Sequence, residues 1–194
     1  MTALILASAS TIRARLLADA GVPFEAMPAR VDEDAVKDSL HDPAAVAETL
    51  AEMKALRVSA SHPGSLVLGA DQVLAFEDTV VSKSDTLAEA RALLLRLRGK
   101  EHRLIGGAVL ARDGAPVWRH VGIAKLWLRD FSEAFLDDYL ARDGEAALSS
   151  VGCYRLEGLG VQLFSRIEGD YFSILGLPLL PLLAALREQG VVLK

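Results

Sequence analysis

The stretch Leu66–Phe76 is apolar or glycine at every position except Asp71 and Gln72. A continuous apolar run of this kind predicts a strand buried on both faces, the interior of a sheet rather than its edge. That requirement selects an α/β fold, in which helices flank a sheet and exclude water from it. It also makes Asp71 conspicuous, because a carboxylate in such a strand is costly unless it meets water, a cation or a metal.

The remaining pattern supplies the partners. An apolar run at residues 4–7 ends in Ser8-Ala-Ser10, after which Ile12, Leu16 and Leu17 recur at helical spacing until Gly21. Residues 24–27 read as extended and lead into an acidic stretch, Asp32-Glu33-Asp34. Asp42-Pro43 predicts an N-cap with proline in the first helical position, opening a helix to Ser59 that carries Lys54 late in its course. A Glu77-Asp78 turn precedes a short returning strand, Thr79–Val81. Thr86-Leu-Ala-Glu89 is a capping box for a helix ending at Gly99. Two extended runs, 102–112 and 117–129, flank Asp113-Gly114 and predict a hairpin. Ser132 caps a helix to about Ala141, and residues 150–167 read as extended, with Gly158-Leu-Gly160 turning into a strand over 161–164. A last apolar helix, 178–189, packs into the core. The expectation is a single α/β domain over 1–194 with a mixed sheet.

Composition narrows the function. The 194 residues carry 21 Lys and Arg against 26 Asp and Glu, a net charge of −5. That balance argues against a general nucleic-acid or membrane-surface binder. A hydrophobic share of 52% is enough to build a core and excludes global disorder. The single cysteine, Cys153, excludes an intramolecular disulfide and a Cys-based zinc site, and points to a reducing cytoplasm. No basic residue precedes the first apolar run, so it reads as a strand rather than a signal peptide. The apolar stretch 172–186 is too short for a bilayer and contains Pro178 and Pro181, so no membrane span is expected.

Two places could carry chemistry. Where the first strand gives way to a helix, free N–H groups, the hydroxyls of Ser8 and Ser10, and Arg13 could cradle a phosphate. The plainer alternative is that Ser10 caps the helix and Arg13 is solvated. Asp71 either meets a ligand in space left by Gly69 and Ala70, or bonds backbone amides at a strand end. Glu33, Lys54 and Lys83, taken singly, read as ordinary solvated charges. His41, His62 and His120 read as surface or loop residues, with His102 at a strand start. The chain lacks the zinc-protease and serine-hydrolase motifs.

In order along the whole chain, these segments resemble the Maf family of nucleoside triphosphate pyrophosphatases. Leu6-Ala-Ser8-Ala-Ser10-Thr-Ile-Arg13 is similar to that family's Leu-Ala-Ser-x-Ser-Pro-x-Arg. Val31-Asp32-Glu33, Lys54-Ala55, Gly69-Ala-Asp71-Gln72, Lys83, Gly99-Lys-Glu-His102 and Gly176-Leu-Pro178 follow in sequence. The resemblance implies a strongly twisted mixed sheet in a two-lobed, ITPase-like architecture around a central cleft. It implies hydrolysis of a nucleoside triphosphate to the monophosphate and pyrophosphate with Mg²⁺ or Mn²⁺. On it, Asp71 activates water, Glu33 and Asp71 hold the metal, Lys54 and Lys83 stabilise developing charge, and Ser8, Ser10 and Arg13 cradle phosphates. Ile12, Gln72 and Glu157 fall where the family reads the base. Gln72 and Glu157 are similar to the 7-methyl-GTP subgroup, while Ile12 stands in place of its usual Trp, and Thr11 and Ser84 replace usual prolines. The alternatives are a dTTP/UTP pyrophosphatase and a non-catalytic nucleotide-binding regulator of cell division. A homodimer is suggested by the resemblance alone.

Overall fold

The computed structural model describes residues 4–193; the first three residues of the opening segment lie outside the described residues. A seven-stranded sheet runs in the order β2-β1-β3-β5-β6-β7, with β4 paired to β3. Its strands are β1 Leu4–Leu6, β2 Glu25–Ala26, β3 Leu66–Phe76, β4 Thr79–Val81, β5 Glu101–Arg112, β6 Ala115–Leu128 and β7 Phe164–Glu168. The helices are α1 Thr11–Asp19, α2 Glu33–Ser39, α3 Pro43–Ser59, α4 Leu87–Leu97, α5 Glu133–Asp143, α6 Tyr171–Ile174 and α7 Leu179–Glu188. Strand β1 pairs in parallel with β2 and β3, whereas β4 on β3 and β7 on β6 are antiparallel. The sheet is therefore mixed, as the sequence predicts, and flanked by helices. Among the described residues no helix is long and apolar enough to cross a membrane.

The chain divides into two compact units. The first gathers the chain up to Gln72, Ile105–Gly122 and the chain from Asp170 onward. Its strands alternate strictly between two layers, because side chains of a strand point to opposite faces in turn. Leu4, Leu6, Leu66 and Leu68 pack with Leu17 of α1 and Leu182 and Leu186 of α7. Ile5, Ala7 and Val67 pack with Val58 of α3 instead. The C-terminal helix is thus a core element.

The second unit comprises Val73–Leu104 and Ile123–Gly169. Thr86 caps α4 by accepting from the Glu89 N–H at 3.2 Å, while the Glu89 carboxylate accepts from Asp85 N–H at 2.8 Å, so the return bond of the capping box falls one residue early. One sequence expectation, an extended chain over 150–167, fails in part here. Residues 159–163 form a 3-10 turn, and the strand starts at Phe164 rather than Val161. Gly160 decides that: a Cβ there would lie 2.6 Å from the Arg155 backbone, so the chain folds tightly back on itself where a strand would extend. The acidic stretch opens a helix: Asp32 accepts from Ala35 N–H at 3.1 Å and caps α2, placing Glu33 and Asp34 in its first turn.

Candidate active site

The site grows from the packing of α3 on β3. Positions 67, 69 and 71 point to the same face of the strand. On α3, Ala51, Lys54, Ala55 and Val58 recur at the spacing of one helix face. Val67 meets Val58. A Cβ on Gly69 would sit 2.1 Å from Ala51 O and 2.6 Å from Ala55 N, so only glycine lets the helix backbone approach. Gly107 on β5 does the same against Ala47, at 2.5 Å. The space beside Gly69, expected to receive a ligand, is filled by α3 itself.

That approach carries Lys54 to Asp71. The ammonium Nζ donates to Asp71 Oδ1 at 2.5 Å and to Glu33 Oε1 at 2.7 Å. Lys54 and Asp71 are buried, at 9% and 7% exposure, while Glu33 is half-buried at the head of α2. Two charges that read singly as solvated residues, Glu33 and Lys54, are thus gathered on the conspicuous carboxylate of Asp71. Burial works to raise the Glu33 pKa, but the Lys54 hydrogen bond and the charges of Lys54, Lys37 and Arg13 outweigh it and hold the carboxyl below its usual range.

The serine turn lies alongside. Ser8 Oγ accepts from Ser10 N–H at 3.2 Å, and Ser10 Oγ accepts from Arg13 N–H at 3.4 Å, capping α1. Arg13 is neither solvated nor a free fork. Its Nε donates to Gly176 O at 2.8 Å and its Nη1 to Ala70 O at 2.9 Å and Ser8 Oγ at 3.3 Å. Burial lowers its pKa, and the attraction of Asp71 and Glu33 opposes that shift. A parallel two-bond grip on phosphate through Nε is excluded by these bonds, which among the described residues leave Nη2 as the uncommitted nitrogen. Ile12 is half-buried on the same helix turn.

Gln72 points away from Asp71, as adjacent strand residues must. Its Nε2 donates to Ser173 O at 2.9 Å and Ile174 O at 3.2 Å, so both amide hydrogens are committed. Asp170 caps α6 through Ser173 N and Oγ, at 2.8 and 2.7 Å. Residues 170–176 thus clamp both Arg13 and Gln72, a role that the Gly176-Leu-Pro178 motif did not disclose. Gly176 has φ +102, a backbone conformation that favours glycine, with the Arg13 guanidinium packed against it.

Lys83 and Glu157 belong to the second unit, both exposed. Ser84, next to Lys83, bonds the buried Cys153 thiol, and burial pushes that thiol up. His102 is buried, with Nε2 2.7 Å from Tyr154 Oη. His120 lies on β6, not in a loop, stacked on Trp118 with ring centroids 5.8 Å apart.

A model of the family described as Maf-like protein matches residues 3–189. The chain belongs to the Maf family. This Maf chain is 56% identical over 190 residues to a protein of Paramagnetospirillum magneticum named nucleoside triphosphate pyrophosphatase, covering 96% of this chain and 98% of that one. It is 54% identical to a protein of the same name from Caulobacter vibrioides, over 99% and 98% of the two chains. It is 52% identical to a Rhizobium etli protein named 7-methyl-GTP pyrophosphatase, over 97% of each. Among solved structures, a HAM1 protein from Coxiella burnetii aligns at 16% identity with a TM-score of 0.45, over 68% of this chain and 75% of that one.

Proposed function

We propose that this Maf protein is a nucleoside triphosphate pyrophosphatase, an acid-anhydride hydrolase that releases pyrophosphate and leaves the nucleoside monophosphate. The observation that carries the reading is the convergence of Glu33, Lys54 and Asp71 on one point, with Arg13 tied to the carbonyl of Ala70 beside it. Phosphoryl transfer needs positioning and charge neutralisation more than a covalent nucleophile, and these residue types provide both.

In this mechanism a water oxygen bonds to the α-phosphorus as the bond to pyrophosphate breaks, and Asp71 accepts the water's proton. Ser8, Ser10 and the Nη2 of Arg13 bind the phosphates, while Lys54 and Lys83 stabilise negative charge as it moves onto the leaving pyrophosphate. Among the described residues no group of three or more His, Cys, Asp and Glu side chains forms a metal cage. Two carboxylates sharing one cationic point nevertheless fit Mg²⁺ or Mn²⁺, which take hard oxygen ligands and fill the rest of their shell with water and phosphate. Glu33 and Asp71 would hold it, and it would neutralise phosphate charge.

We further propose a 7-methylated guanine nucleotide as substrate. Glu157 can accept from the N1–H and exocyclic amine of guanine and favours a cationic base, and Gln72 offers only its Oε1 acceptor. Ile12 favours the second reading, dTTP or UTP, because it supplies no cation–π face. A metal-dependent assay of pyrophosphate release across 7-methyl-GTP, GTP, dTTP and UTP decides between them. Fastest release from 7-methyl-GTP is expected; faster turnover of UTP overturns the purine assignment. Tight nucleotide binding without release would instead support a regulator. The reading places the enzyme in the cytoplasm, where Cys153 stays reduced, as a homodimer testable by light scattering.

A further inference from the structure

We propose that the Lys54 ammonium is an internal counter-ion held at the divalent-cation position, and that it must leave that position for a metal to be bound. The inference rests on the reading of Glu33 and Asp71 as the metal ligands. Nζ lies 2.5 Å from Asp71 Oδ1 and 2.7 Å from Glu33 Oε1, and the Lys54 side chain is only 11% exposed. The same two oxygens therefore already face one positive charge at hydrogen-bonding distance.

An ammonium and a divalent cation cannot both take those oxygens. Mg²⁺ or Mn²⁺ demands short contacts to the lone pairs that Nζ now engages, and the two cations would repel at close range. Lys54 is suited to an exchange because its charge is a point on a flexible four-carbon stem, unlike the planar fork of an arginine. The surroundings add further opposition to a cation arriving alone. Lys37 lies 3.7 Å from Glu33 Oε2, and Arg13 acts on Glu33 through its charge. A triphosphate changes the balance by offering Lys54 a new anionic partner.

Two consequences follow. Without nucleotide, the protein keeps Asp71 compensated and folded by means of its own lysine, with no need of metal. The carboxylate pair then takes a divalent cation readily only once Lys54 has phosphate to bind, so metal and substrate arrive in a coupled manner.

The test is calorimetric titration of Mn²⁺ into the nucleotide-free protein and the variants Lys54→Met, Lys54→Arg and Glu33→Gln, with the Tm of each measured with and without Mn²⁺. Removing the competing charge in Lys54→Met should tighten Mn²⁺ binding by about tenfold or more and enlarge the rise in Tm that Mn²⁺ produces. Lys54→Arg keeps a cation and should stay within about threefold of the parent. If Lys54→Met does not fold, Lys54→Gln carries the same comparison. Binding no tighter in the neutral variant, together with loss of binding in Glu33→Gln, overturns the counter-ion role and leaves the metal ligands standing. Mn²⁺ binding indifferent to Glu33→Gln, even with a non-hydrolysable triphosphate present, overturns the ligand assignment and this inference with it.

Discussion

Asp71 and Asp143 are equally buried, at 7% exposure each, and each pairs with one basic side chain. Their surroundings differ. Asp143 receives Nε and Nη2 of Arg155 and the hydroxyl of Tyr139, which also donates to Cys153 O at 3.1 Å. Both of its oxygens are occupied by the second unit's own groups. Asp71 receives a single ammonium on Oδ1, and that ammonium is shared with a half-exposed glutamate. The contrast separates a charge pair that closes a structure from one that can change partners. Burial alone does not distinguish them; saturation of the hydrogen-bonding capacity does.

The sharpest way to break the comparison is to neutralise each aspartate. Asp71→Asn should lower the rate of pyrophosphate release by about 1,000-fold or more, roughly 4 kcal/mol on the barrier, with the circular dichroism spectrum unchanged. Near-normal turnover in a steady-state assay would place Asp71 with Asp143 as a structural group. Gly69→Ala attacks what brings Lys54 to Asp71. Its Cβ would meet the α3 backbone, and a loss of about 3 kcal/mol in denaturant unfolding is expected, with weakened activity in the surviving folded fraction. Asp143→Asn should reverse the Asp71 pattern, costing about 2 kcal/mol of stability while kcat of the folded enzyme is retained.

His102 supplies the smallest effect and a buried group with no charged partner. Burial lowers its pKa to about 4, and among the described residues its Nδ1 has no hydrogen-bond partner. The unfolded chain therefore binds a proton below pH 6.5 that the folded chain refuses until about pH 4. Its contribution to stability is full above pH 6.5 and is lost progressively as the pH falls through that window. Between pH 7 and 5.5 the parent should lose about 1 kcal/mol more than His102→Gln in urea titrations. Equal losses would show that His102 is protonated in the folded state.

Local structure was legible wherever one short segment carries its own instructions. Asp42-Pro43 predicted the start of α3, and Asp113-Gly114, with φ +52 and +75, turned the hairpin as read. The 3-10 turn at Gly160 escaped because its geometry depends on the Arg155 backbone several residues earlier.

The sequence by itself determined the α/β class, the Maf membership later matched over residues 3–189, and Asp71 as an anomaly in a buried strand. These follow from patterns only a few residues long, or from motifs whose order is enough. Only the tertiary structure decided what the charges do. Lys54 looked solvated until the glycine at 69 let α3 against β3, and Arg13 read as either a phosphate grip or a solvated charge until Gly176 O and Ala70 O took two of its nitrogens. Both outcomes depend on bonds between residues far apart in the chain. A side chain's partners are set by which backbones can approach, and no spacing along one segment records that distance.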